Sequence, residues 1–155
     1  MSETPTYRLA EHICHQTYAL DRALARAYQM AFGKTGFTYP KFIVLMALEE
    51  GGAMGVGALS QVVGVETNTL SPLLKKMAAA GIVTRARSQD DERQVVVEMT
   101  AYGEAVLAKA RAAATEIYTA LGLTESDAVA LTQALSKLRE AASHVRPTPM
   151  ELPPR

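Results

Sequence analysis

The chain has 155 residues, 48% of them hydrophobic, with 16 lysines and arginines against 16 aspartates and glutamates; this suits one globular domain with a substantial core and gives no global charge for holding nucleic acid. Its single cysteine, Cys14, excludes an internal disulfide and fits a reducing compartment. No basic leader with an apolar core and no run of about 18 apolar residues occurs, so neither export nor membrane insertion is expected, and the expected location is the cytoplasm.

Leu9, Ile13, Thr17, Leu20, Leu24, Ala27 and Ala31 follow steps of three and four, which predicts a long first helix with one apolar stripe. The "GKTG" at 33–36 breaks it, and Thr38 suits an N-cap with Pro40 in the first turn, where its missing N–H is harmless. This second helix runs to about Glu49. After "GGAMGVG" come a short helix, "ALSQVVG", a tight turn at Gly64 and Val65, and a helix over about 67–80 that Gly81 ends. Two short helices joined by a glycine turn predict helix-turn-helix. "IVTRAR" and "QVVVEM", on either side of the polar "SQDDER", predict a β-hairpin, and a hairpin in that place is a wing.

Two closing helices are expected, over about 102–121 and 124–145, the last opened by Thr124 with Asp127 three residues on, a capping box with Asp in place of Glu. The tail "RPTPMELPPR" holds four prolines in ten residues and should be disordered or loosely docked. The expected fold is therefore mainly α with a small β-hairpin wing. It comprises a winged helix-turn-helix at 38–101, an N-terminal dimerisation helix at 1–37, C-terminal dimerisation helices at 102–145 and a proline-rich tail at 146–155, in one compact domain. The stripe Ala128, Leu131, Leu135, Leu138 and Ala142 and that of the first helix lie outside the winged core and need a partner, most simply a second copy. A two-fold dimer presents two reading helices about 34 Å apart and calls for palindromic double-stranded DNA.

Local charge supports that partner. Residues 67–89 contain Lys75, Lys76, Arg85 and Arg87 and no acid, a positive stretch in a neutral protein. Thr67, Asn68, Thr69 and Ser71 can reach base edges or phosphates, Lys75 and Lys76 phosphates; Thr67 equally suits a cap, since Glu66 is a poor one. Pro72 should leave the Asn68 carbonyl without its helical donor. In the hairpin, Arg93 is the candidate for a minor groove, with Asp91 holding its guanidinium. The acidic tip "QDDE" speaks equally for a solvated loop.

The segment 68–103, "NTLSPLLKKMAAAGIVTRARSQDDERQVVVEMTAYG", resembles the MarR family of dimeric winged-helix regulators in its "LSPLLKKM" helix, its "AAGIVTR" link, its "DER" tip and the "T..G" opening the next helix. The likeness covers nearly the whole chain. The family pattern has Asp-Ser-Gly where this chain has Glu66, Thr67 and Asn68, which leaves cap geometry and base contact there open. The resemblance implies that Asp91 holds Arg93 for minor-groove entry. The first helix is similar to the one-cysteine OhrR branch of organic hydroperoxide sensors, whose cysteine and two tyrosines match Cys14, Tyr28 and Tyr39. It implies a reactive thiol hydrogen-bonded by two phenols, and a repressor that leaves DNA when the sulfur is oxidised.

Fourteen residues separate Cys14 from Tyr28, about 21 Å along a continuous helix. The two cannot touch within one straight helix but share a face to within about 40°, so the partner's tyrosines would have to reach the thiol. Phenol donors would favour the thiolate, which attacks a peroxide to give a sulfenic acid. With no second cysteine here, a low-molecular-weight thiol, another molecule's cysteine or a backbone nitrogen must resolve it. Alone, a cysteine in an amphipathic helix more often packs as a small buried apolar residue, and the tyrosines suit ordinary interface packing. His12 and His15 flank Cys14 without a further ligand cluster, so neither metal nor cofactor is expected. The competing readings are a regulator released by a phenolic or aromatic ligand, and a thiol peroxidase, which would need a resolving or activating motif that is not seen.

Overall fold

The computed structural model describes residues 8–91 and 93–153; expectations about residues 1–7, Glu92 and the last two residues fall outside the described part. The elements are helix α1 (Ile13–Phe32), α2 (Tyr39–Gly51), strand β1 (Met54–Gly55), α3 (Val56–Val63), α4 (Thr67–Ala79), β2 (Val83–Arg87), β3 (Val95–Met99), α5 (Ala101–Leu121) and α6 (Glu125–Ser143). They form two compact units, residues 1–117 and 118–155. The expected mainly α winged helix-turn-helix is present, with departures at the edges of elements.

In the first unit the core is set by helical spacing. Leu70, Leu74 and Met77 occupy one face of α4 and are wholly buried in one core that also holds Leu45 of α2, Leu59 of α3 and Leu107 of α5, so the polar positions 68, 69, 75 and 76 must face outward. The sheet runs β1-β3-β2, all antiparallel, with Arg85 opposite Val97 and Met54 on the other side of Val97. β1 was not expected. The first helix also starts later than its apolar stripe: Leu9 lies in a separate 3-10 turn, and His12 is extended (φ −81°, ψ 109°). Leu9 is exposed, so its place in the stripe brings no burial to extend the helix.

The link from α4 to α5 explains the "T..G" pattern. Gly81, at φ +73°, turns the chain out of α4, and the Ile82 N–H donates to the Met77 carbonyl at 3.0 Å. The Thr100 hydroxyl donates to the Gly81 carbonyl at 2.6 Å and accepts from the Gly103 N–H at 3.0 Å. α5 thereby lies so close that a Cβ on Gly103 would stand 2.2 Å from the Ile82 carbonyl oxygen. Eight residues on, Arg111 makes a two-armed ion pair with Glu49 of α2, one arm 2.8 Å long from Nη1 to Oε1. That hydrogen bond holds the Glu49 carboxyl below the usual carboxylate range.

In the second unit α6 opens with the expected capping box, the Thr124 hydroxyl accepting from the Asp127 N–H at 3.1 Å and the Thr124 N–H donating to the Asp127 carboxylate at 3.1 Å. α6 buries no residue, and Leu131, Leu135 and Leu138 are all exposed in the single chain. Residues 145–153 carry no regular structure. Among the described residues no helix is long and apolar enough to cross a membrane.

Two glycine-to-alanine changes should have opposite signs. Gly103→Ala, which forces a methyl onto backbone, should cost about 2–3 kcal/mol in urea unfolding. Gly57→Ala meets nothing within 4 Å and should stabilise by about 0.5 kcal/mol.

Candidate functional site

The reading helix α4 presents its polar groups as the core demands. Thr67, Asn68, Thr69, Lys75 and Lys76 are exposed and Ser71 is half-buried. Thr67 does not cap: it is the first helical residue, and Glu66 takes the N-cap position without a side-chain hydrogen bond. Its carbonyl still accepts from the Thr69 and Leu70 N–H groups at 3.0 and 2.9 Å. The helix continues through Pro72, because Leu70, Leu74 and Met77 are held by burial on its inner face.

In the wing, Asp91 differs from expectation. Rather than gripping the Arg93 guanidinium, its Oδ1 accepts from the Arg93 backbone N–H at 3.0 Å and its Oδ2 from the Gln94 side-chain amide at 3.3 Å. The Ser88 hydroxyl accepts from the Asp90 N–H at 3.2 Å, and the Ser88 N–H donates to the Gln94 carbonyl at 2.8 Å. Both Asp91 oxygens are therefore engaged inside the turn, where they hold the backbone of the tip.

Four of the singled-out residues meet in one groove of about 500 Å³: Thr67 and Ser71 of α4, Arg85 of β2, and Arg93. Arg85 Nε is shielded from solvent and has no acceptor. Arg87, Asn68, Thr69, Lys75 and Lys76 are exposed and do not line this groove. Its other wall was missed in the sequence: the first residues of α3, Val56, Gly57 and Ala58, preceded by Gly55 at an N-cap position without a side-chain bond. Uncapped N–H groups and the helix dipole favour an anion there. The signal was the glycine pair in "GVGA", which leaves two positions at the start of α3 without side chains.

Cys14 is the second residue of α1 and is a free, exposed thiol in the single chain, so it does not pack there as a buried apolar residue. His15 Nδ1 is shielded and without a partner, and among the described residues no group of three metal-ligating side chains exists. Tyr28 is 8% exposed and Tyr39 40%. The chain reverses between them through Gly33 (φ +59°) and Gly36 (φ +74°), which brings their ring centroids to 4.4 Å, with Phe42 6.2 Å from each. α1 is unbroken from Ile13 to Phe32, so Cys14 lies about 21 Å along the helix from Tyr28. One chain thus joins the two tyrosines and not the cysteine.

The family model described as transcriptional regulator SarA/Rot matches residues 26–110. The HTH-type transcriptional regulator TtmR of Methylorubrum extorquens is 32% identical over 145 residues, covering 94% of this chain and 74% of that protein. The chain belongs to the MarR/SarA-type winged-helix transcriptional regulators. Another relative of this regulator is the organic hydroperoxide resistance transcriptional regulator of Bacillus subtilis, 32% identical over 103 residues, 66% of this chain and 70% of that protein. Reduced AbfR bound to DNA has the same fold, with a TM-score of 0.74 at 25% identity over 88% of this chain and 96% of that one. Both sequence relatives carry the name of transcriptional regulators.

The wing turn is open to a direct test. Asp91→Ala removes the acceptor of the Arg93 N–H, and exchange of that amide in the free protein should quicken about 5- to 10-fold, with the thermal midpoint little changed. An unchanged exchange rate would show that Asp91 does not hold the turn.

Proposed function

We propose that this regulator is a homodimeric, cytoplasmic repressor that binds a palindromic operator in double-stranded DNA and releases it when an organic hydroperoxide oxidises Cys14. The observation that carries the sensing half is the separation just described. A phenol pair stacked in one chain and a thiol about 21 Å away on the same helix complement each other across two copies. The exposed apolar faces of α1 and α6, with Ile13, Leu20, Leu131 and Leu135 in solvent in the single chain, supply surface for the second copy. The likeness to the Bacillus subtilis hydroperoxide regulator supports the same reading.

The chemistry needs one sulfur. The Cys14 thiolate attacks the terminal oxygen of the hydroperoxide; the O–O bond breaks, the alkoxide leaves and takes a proton as alcohol, and the sulfur becomes a sulfenic acid. A low-molecular-weight thiol then displaces hydroxide, which leaves as water, to give a mixed disulfide that a further thiol reduces. Either sulfur species is larger than a thiol and differs in hydrogen bonding, so the phenol contacts break and the helices that set the spacing of the reading helices repack. On the DNA side, the uncapped start of α3, Arg85 and Arg93 take phosphate and minor-groove contacts, Asn68 and Thr69 face bases, and Lys75, Lys76 and Arg87 face the backbone.

Two measurements test the halves separately. Cys14→Ser should bind operator as tightly as the parent protein and stay bound under cumene hydroperoxide; release of that variant, or release of the parent by phenolic ligands under reducing conditions, would contradict the redox half. Arg85→Gln and Arg93→Gln should each weaken binding and lower the slope of log K against log salt by about 1. An unchanged slope removes that arginine from the interface.

A further inference from the structure

Helix α5 is tied to the winged body at two places. Its first turn is clamped by Thr100 and by the contact of Gly103 on the Ile82 carbonyl. Arg111, eight residues on and so about 12 Å further along, forks onto Glu49 in the last turn of α2. Leu107 and Ala110 are buried between the two ties. A helix held at one end can pivot; one held at two separated points has its direction fixed. The lever is long: α5 has 21 residues, about 32 Å, and a pivot of about 5° at its start moves its far end by about 3 Å.

The form of the second tie matches that task. Both side chains are nearly half exposed, at 47% and 42%, so the pair adds little to folding stability. A planar guanidinium engaging both carboxylate oxygens nevertheless constrains orientation as well as distance, which a single-point contact does not. Just beyond Glu49 the chain turns through Gly52 at φ +72° and enters β1, which pairs with β3, so the carboxylate sits where α2 hands over to the sheet.

We propose that the Glu49–Arg111 fork is a positioning clip for DNA reading, fixing the direction of α5 on the winged body and hence the spacing of the two reading helices in the dimer. The inference rests only on the DNA-binding half of the proposed function. The full-length reduced protein tests it, with a duplex that the parent protein selects from a randomised inverted-repeat pool as the probe. Glu49→Gln and Arg111→Gln should each weaken binding about tenfold, with thermal midpoints within about 2 °C of the parent and an unchanged salt slope. The reversed pair Glu49→Arg with Arg111→Glu should recover most of the loss. The clip is overturned by single variants that bind within about twofold of the parent, by a reversed pair as weak as the singles, or by a midpoint fall above about 5 °C in the singles, which would make the pair part of the fold. It is also overturned by a salt slope lowered by about 1 in Arg111→Gln, which would make Arg111 a phosphate contact. A parent protein that enriches no duplex at all would overturn the DNA-binding reading itself, a result distinct from failure of the clip alone.

Discussion

Twenty residues of continuous helix, Ile13–Phe32, keep the thiol and the phenols of one chain apart, and no rotation of side chains closes a gap of about 21 Å. What the chain does join is Tyr28 with Tyr39, because two glycines at positive φ let α1 fold back toward α2. Tyr39 is the first residue of α2, and α2 carries the largest share of the winged core through Phe42, Val44, Leu45, Ala47 and Leu48. A phenol pair placed there adjoins the core that α2 shares with α3 and the reading helix. In the proposed dimer, a change at the partner's sulfur reaches the DNA-reading body through that aromatic cluster, without a long chain of small displacements.

The winged body shows how a neutral chain gathers cations and helix starts in one groove. Burial of three residues on α4 turns its hydroxyls outward, hairpin register sets Arg85 beside them, and an aspartate spent inside the wing turn leaves Arg93 to line the same groove. The α3 N-terminus completes the set with backbone donors. Net charge is a poor guide to such a site, because it is assembled from the placement of two cations and two helix starts.

Much of this was legible in the sequence where periodicity and chemistry pointed the same way. The β-branched runs gave the hairpin, Gly81 the end of α4, and Thr124 with Asp127 the start of α6. The misses share a cause. β1 is two residues in a glycine-rich run, and it is a strand only because β3 offers a free edge at Val96 and Val97. The helix break at His12 and the capless Glu66 depend on which side chains find a packing surface, and Asp91 chose a backbone N–H over a guanidinium because the former lies within its own turn. Cys14 was placed correctly on its helix, yet its exposure in the single chain could not be read from an amphipathic pattern.

The claim that the sensor forms between chains can be tested most directly with mixed dimers carrying one set of changes each. One pairs a Cys14→Ser chain with a chain carrying Tyr28→Phe and Tyr39→Phe; the other places all three changes in one chain beside an unmodified partner. The account predicts that the first mixture, which leaves one sulfur facing intact phenols of its neighbour, reacts with cumene hydroperoxide at close to the parent rate per intact site, while the second reacts slowly. The opposite order, fast reaction only where sulfur and phenols belong to the same chain, would contradict it.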